Sequence, residues 1–214
     1  MQNEVVATHH YQLMNEIWSA ITHGIGLAAA IAGLVLLIIK AIPLGPVALG
    51  SYLVFGISLI VLYFSSMMYH CLFFTRASRV FQIFDHSSIF LLIAGSYTPF
   101  CLTIIKGWLG ISLLIVIWCT CILGIIYKIF LVGKFKKLET ILYVLLGWVS
   151  LIAIKPLLNG IGIKGVILLA LGGLIYTSGA VLYSSKKIPY AHVFWHILVM
   201  LGSLCIFMAL YIYG

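Results

Sequence analysis

WLGISLLIVIWCTCILGIIYKIFL, residues 108–131, holds a single charged side chain, Lys128. As an α-helix such a run rises about 36 Å, enough to cross a hydrocarbon core of about 30 Å. Only a helix satisfies every backbone donor and acceptor within one segment, which is what lipid demands of a single span. Runs of the same kind recur on both sides of it. Of the 214 residues, 64% are apolar and 7% charged, and mean hydropathy is +1.24. Soluble domains are not composed this way. The pattern predicts an all-α bundle of seven transmembrane helices over 18–39, 47–69, 83–105, 108–131, 138–154, 165–183 and 191–213. One membrane domain, 18–214, then follows a polar segment, 1–17, which has neither the basic start nor the short apolar core of a secretory signal.

Pro43, Pro46, Pro156 and Pro189 punctuate the connections, where a missing donor ends a helix. Pro99 falls inside the third helix and predicts a kink whose freed carbonyl is satisfied by a hydroxyl or a neighbouring helix. Small residues in GIGLAAAIAG (24–33) and LGGLIYTSGA (171–180) suit close helix packing rather than phosphate binding.

Charge sets the orientation. The second, fourth and sixth connections carry Arg76, Arg79, Lys128, Lys134, Lys136, Lys137, Lys186 and Lys187, against Lys40, Lys106, Lys155 and Lys164 in the others. The excess belongs in the cytoplasm, so the amino terminus is expected inside and the carboxyl terminus outside. Basic residues scattered at helix ends also make anionic lipid headgroups, and not nucleic acid, the expected partner of the +8 net charge. The five cysteines show no CxxC spacing and predict no disulfide.

Ionisable residues are costly in a membrane helix, and here they gather at one expected depth. SSMMYH closes the second helix, with Ser66 and His70 four residues apart; FDHSS opens the third with Asp85 and His86; AHVFWH opens the seventh with His192 and His196. Histidines at i and i+4 project two imidazoles to one side, and left unpartnered in lipid each would cost a few kcal/mol. With His70 as a third ligand, the set resembles an open three-histidine zinc centre with water in the fourth position. Asp85 then suits a general base or hydrogen-bond partner for that water, and Ser66 a second contact. Each has a plainer reading: Asp85 as the N-cap of the third helix, and Ser66 back-bonded to a helix carbonyl. His23 reads as a further polar contributor or a packing histidine. His86 is expected to point away from Asp85's side, and Glu16 and Glu139 to meet helix dipoles at helix starts. Arg76 and Arg79 fix topology, and His9 and His10 lie in the polar segment.

EIWSAITHGIG, SSMMYH, FDHSSIFLLIAGSYTPF and HVFWH, in this order and spacing, resemble the hemolysin III family, the bacterial branch of the progestin and adipoQ receptor proteins. The resemblance covers almost the whole chain. It implies seven helices with the amino terminus inside, a bacterial plasma membrane, zinc on His70, His192 and His196, and Ser66 and Asp85 as the motif serine and aspartate. Kinship with alkaline ceramidases implies hydrolysis of a lipid amide. Ser19 stands where the family's first motif usually has asparagine. Three functions compete: a zinc-dependent hydrolase acting in membrane lipid homeostasis; a non-enzymatic sensor of membrane state with structural zinc; and a pore, cytolysin or transporter.

Overall fold

The computed structural model describes residues 2–132, 134, 136–184 and 188–214, with side chains described over 9–132, 134, 138–183 and 188–214. Lys186 and Lys187, and the side chains of Lys136 and Lys137, on which part of the charge asymmetry rests, lie outside these. Among the described residues the chain is helical throughout: α1 (Gln2–Ala41), α2 (Pro46–Cys71), α3 (Ser78–Pro99), α4 (Gly107–Leu131), α5 (Lys136–Trp148), α6 (Ile154–Ser184) and α7 (Ala191–Met208). Six stretches are long and apolar enough to cross a bilayer. Their outer faces are apolar, with Ile39, Phe130 and Val181 at 63, 73 and 69% exposure. In water that surface would aggregate; against acyl chains it is the matching solvent. The molecule is a multi-span membrane protein.

Several expected boundaries shift, each for a local reason. α1 begins far upstream of residue 18, so the polar segment continues the helix. α3 starts at Ser78, leaving Asp85 well inside it with Ala77 as N-cap. Pro99 ends α3 and the chain widens into a π-helix, Phe100–Ile105; hydroxyls of Thr98 and Thr103 donate to the carbonyls of Ala94 and Pro99 around this break. Pro46 opens α2 at a position needing no N–H donor. Pro156, however, ends nothing. It sits in the first turn of α6, after a 3-10 segment (Val149–Ala153), where proline is tolerated.

The reversal falls within the expected connection, 155–164, at Gly162, whose φ of 66° and ψ of 177° only glycine adopts readily. The chain doubles back there: Trp148 Nε1 donates to Thr177 Oγ1 at 3.0 Å, although a straight helix would hold those residues about 44 Å apart. Tyr97 fixes the first arm, its hydroxyl bonded to the carbonyls of Leu146 and Gly147 and to the amide of Ser150.

Packing runs in a ring. α1 packs on α2 and α7, α2 on α3, α3 on α5, α5 on α6 and α6 on α7, while α4 lies against α3. At Gly95 any side chain would strike Ser58, so glycine sets the approach of α3 to α2. Two polar clamps tie the ends. Lys40 of α1 donates to the carbonyls of Leu210 and Tyr211 at one end. Lys128 of α4 and Glu139 of α5 form a buried ion pair at the other. Lys128, expected to serve as a topology charge, is fully buried.

Candidate metal centre

His70 lies in the last turn of α2, and His192 and His196 in the first two turns of α7. The ring closes α2 and α7 onto α1, and the three imidazoles converge there. One nitrogen from each lies within 4.8 Å of the others. His70 Nε2 and His192 Nε2 stand 3.1 Å apart, close to the roughly 3.3 Å edge of a tetrahedron with metal–nitrogen bonds of about 2.0–2.1 Å. His70 and His196 are buried, and His192 is half-buried.

The partners of the outer ring nitrogens sharpen the fit. His70 Nδ1 is 2.6 Å from Glu16 Oε2. His196 Nδ1 is 3.2 Å from the backbone carbonyl of Ser19 and 3.3 Å from Thr22 Oγ1. A carboxylate and a carbonyl only accept, so Nδ1 is the donor in both contacts, and in the neutral form of each ring the lone pair is left on Nε2. Neutral imidazoles with free Nε2 lone pairs are what a divalent ion requires. The donor set, three imidazoles without thiolate, suits zinc among other first-row ions.

Asp85 and Ser66 are both buried and both line the cavity that begins at this cluster. Asp85 is not an N-cap. Ser66 is not back-bonded: its hydroxyl has no hydrogen-bond partner among the described residues. His86, expected to serve elsewhere, lines the same cavity, with Nδ1 3.5 Å from Asp85 Oδ2. His23 stacks on His196 with ring centroids 3.6 Å apart and planes at 13°, and both its nitrogens are buried without a side-chain hydrogen-bond partner among the described residues.

The cavity, about 190 Å³, changes character along its length. Asp85, His86, Glu139, Tyr183, His192 and His196 line one end; the rest is mostly apolar, with Leu92, Ile93, Phe100, Leu157, Leu169 and Ile206 beside a few hydroxyls, among them those of Ser96, Tyr97 and Thr177. Along α3 its lining runs from Asp85 to Phe100, about 22 Å of helix rise. No lining residue comes from α4.

Glu16 was the residue hidden from sequence reasoning. It reads as a dipole-compensating carboxylate at a helix start, but α1 begins at Gln2 and Glu16 is interior and buried. A signal existed: Glu16, Ser19 and His23, spaced three and four apart, make one polar stripe on an apolar helix. Glu139 does lie in the first turn of its helix, as expected, and also pairs with Lys128.

Comparison with known proteins identifies the family. The model of a family described as haemolysin-III related matches residues 11–207. The chain is 42% identical to the hemolysin-3 homolog of Bacillus subtilis over 95% of its own length and 96% of the relative's. It is likewise 42% identical to hemolysin-3 of Bacillus cereus, over 92% and 91%. At 28% identity it is similar to the human monocyte to macrophage differentiation factor, over 75% of this chain and 68% of that one. No solved structure matches.

Proposed function

Because the chain belongs to the haemolysin III family, we propose that it is a zinc-binding membrane protein of lipid homeostasis that hydrolyses a lipid amide. The observation that carries this reading is the three-histidine cluster, two of whose members, His192 and His196, line the polar end of a cavity whose remaining wall is mostly apolar. A lipid whose amide lies at the histidines and whose tail extends along α3 matches both ends. The lipids of a bacterial plasma membrane supply the substrate.

Zinc held by His70, His192 and His196 would polarise the amide carbonyl and acidify water. The chain's own residues do the rest. Asp85, an acceptor facing the cavity, takes the proton from the attacking water and returns it to the amine nitrogen as the C–N bond breaks, leaving a carboxylic acid and an amine. Ser66, with a free hydroxyl one helical turn before His70, orients the water or the carbonyl. The apolar wall excludes bulk water and holds the tail, fixing the carbonyl's approach.

We read the stretch Leu138–Tyr183 as two spans broken at Gly162. From Lys136 to the break is 26 residues, and beyond it 22, about 39 and 33 Å of helix, each sufficient for one crossing. That makes seven spans. With the basic excess inside, the histidine end faces the cytoplasm and the end where Lys40 meets Tyr211 faces out.

Zinc joining α2 to α7 also supports a second reading, a structural clamp in a non-enzymatic sensor of membrane state. One experiment separates the two: metal analysis of the purified parent, His192→Ala and His196→Ala, with lipid products followed in liposomes containing ceramide. Zinc and amide cleavage in the parent, both lost in the variants, is expected. Zinc without turnover of any lipid amide favours the clamp, and metal content unchanged in both variants sinks the site.

A further inference from the structure

We propose that Glu16 is a positioning residue for the metal centre, and that α1, which supplies no ligand, sets the tautomer and ring orientation of two of the three histidines. The inference rests on the metal reading above and adds to it a residue outside the three-histidine, serine and aspartate set.

The argument starts from what α1 touches. Its polar stripe reaches both ligand-bearing helices: Glu16 Oε2 meets His70 Nδ1 of α2 at 2.6 Å, and three residues on, the Ser19 carbonyl meets His196 Nδ1 of α7 at 3.2 Å. One turn further, the His23 ring lies flat on His196. Earlier on α1, the Tyr11 hydroxyl accepts from the Tyr190 amide at 2.8 Å, where the backbone turns left-handed just before α7 begins. Successive turns of one helix thus hold the end of α2 and the start of α7 in register.

Of these contacts only Glu16 brings a charge. It is 7% exposed, and a carboxylate taken out of water is costly unless strongly hydrogen-bonded. Its partners are His70 and, at 3.5 Å, the neighbouring Asn15 amide. A carboxylate at Nδ1 fixes the Nε2 lone pair toward the ion, strengthens the imidazole as a donor and anchors the ring plane; losing such a partner typically costs about 10–100-fold in metal affinity. The Ser19 carbonyl does the same for His196 without charge. Because that contact is backbone, it is indifferent to the side chain at residue 19.

The test is zinc affinity of the purified full-length chain in detergent, by chelator competition, for the parent, Glu16→Gln and Glu16→Ala, with the thermal midpoint of each metal-free form. The expected result is a 10–100-fold weaker zinc Kd in Glu16→Ala, a smaller loss in Glu16→Gln, whose amide oxygen still accepts, and metal-free midpoints like the parent's. Parent-like affinity in a folded variant overturns the proposal, as does a loss that only tracks a lowered metal-free midpoint. If Glu16→Gln does not fold, Glu16→Ala carries the same comparison. A parent that binds no zinc rejects the metal reading itself, a different outcome from a parent that binds it with Glu16 indifferent.

Discussion

The carboxylate of Asp85 is buried inside α3, with His86 3.5 Å away and the cavity in front of it. Such a charge is retained where it is used, and proton transfer is the use its position allows. Asp85→Asn is expected to bind zinc like the parent and to lower amide turnover by about 10²–10⁴-fold. Zinc content by mass spectrometry beside product formation checks this, and a variant turning over like the parent removes Asp85 from the chemistry. At this scale the histidines were legible because i, i+4 spacing in an apolar helix has few innocent explanations. Ser66 and Asp85 were legible as candidates, but their plainer readings fell only when α3 proved to start at Ser78 and the Ser66 hydroxyl proved unbonded. Glu16 was not legible, because its meaning depends on how far α1 extends toward the amino terminus. Polar composition there concealed a continuous helix.

The elements are held by a few polar contacts set into apolar packing. Lys128 and Glu139 pair where α4 meets α5, both nearly inaccessible. Removing one partner strands the other's charge, so Lys128→Met is expected to cost on the order of 3–5 kcal/mol, much of it recovered in the Lys128→Met/Glu139→Leu double variant. Thermal melting in detergent reads both, and equal midpoints for the single variant and the parent would contradict the pair. At the break between the arms of α6, Gly162→Ala meets no neighbouring atom within 4 Å, so its cost is conformational alone, about 1–3 kcal/mol. Helix existence was plain from hydropathy, and so was a reversal within 155–164, but not the residue that makes it. Proline is the louder punctuation in a sequence, yet Pro156 sits harmlessly in a first turn and a single glycine does the turning.

At the scale of the whole molecule, the ring of helices places His70, Asp85, Glu139 and His192 at one end and Lys40 with Tyr211 at the other. The charge pattern alone had sorted the same residues into two sides, since hydropathy and basic residues are local signals that survive without knowledge of packing. A reporter active only outside the cytoplasm, fused after Gly214, is expected to be active; an inactive one, with the fusion protein intact, reverses the orientation. The cavity was beyond sequence reading. It is made by side chains of six helices, and nothing in one chain's order says which of them surround a common space. It joins a polar, histidine-lined end to a mostly apolar length, the shape on which the proposed link between a metal and a lipid rests. The most direct test of that link's foundation is X-ray absorption at the zinc edge of the purified parent protein. Three imidazole nitrogens at about 2.0–2.1 Å with one oxygen neighbour are predicted; sulfur ligands at about 2.3 Å, or no bound zinc at all, would contradict the account.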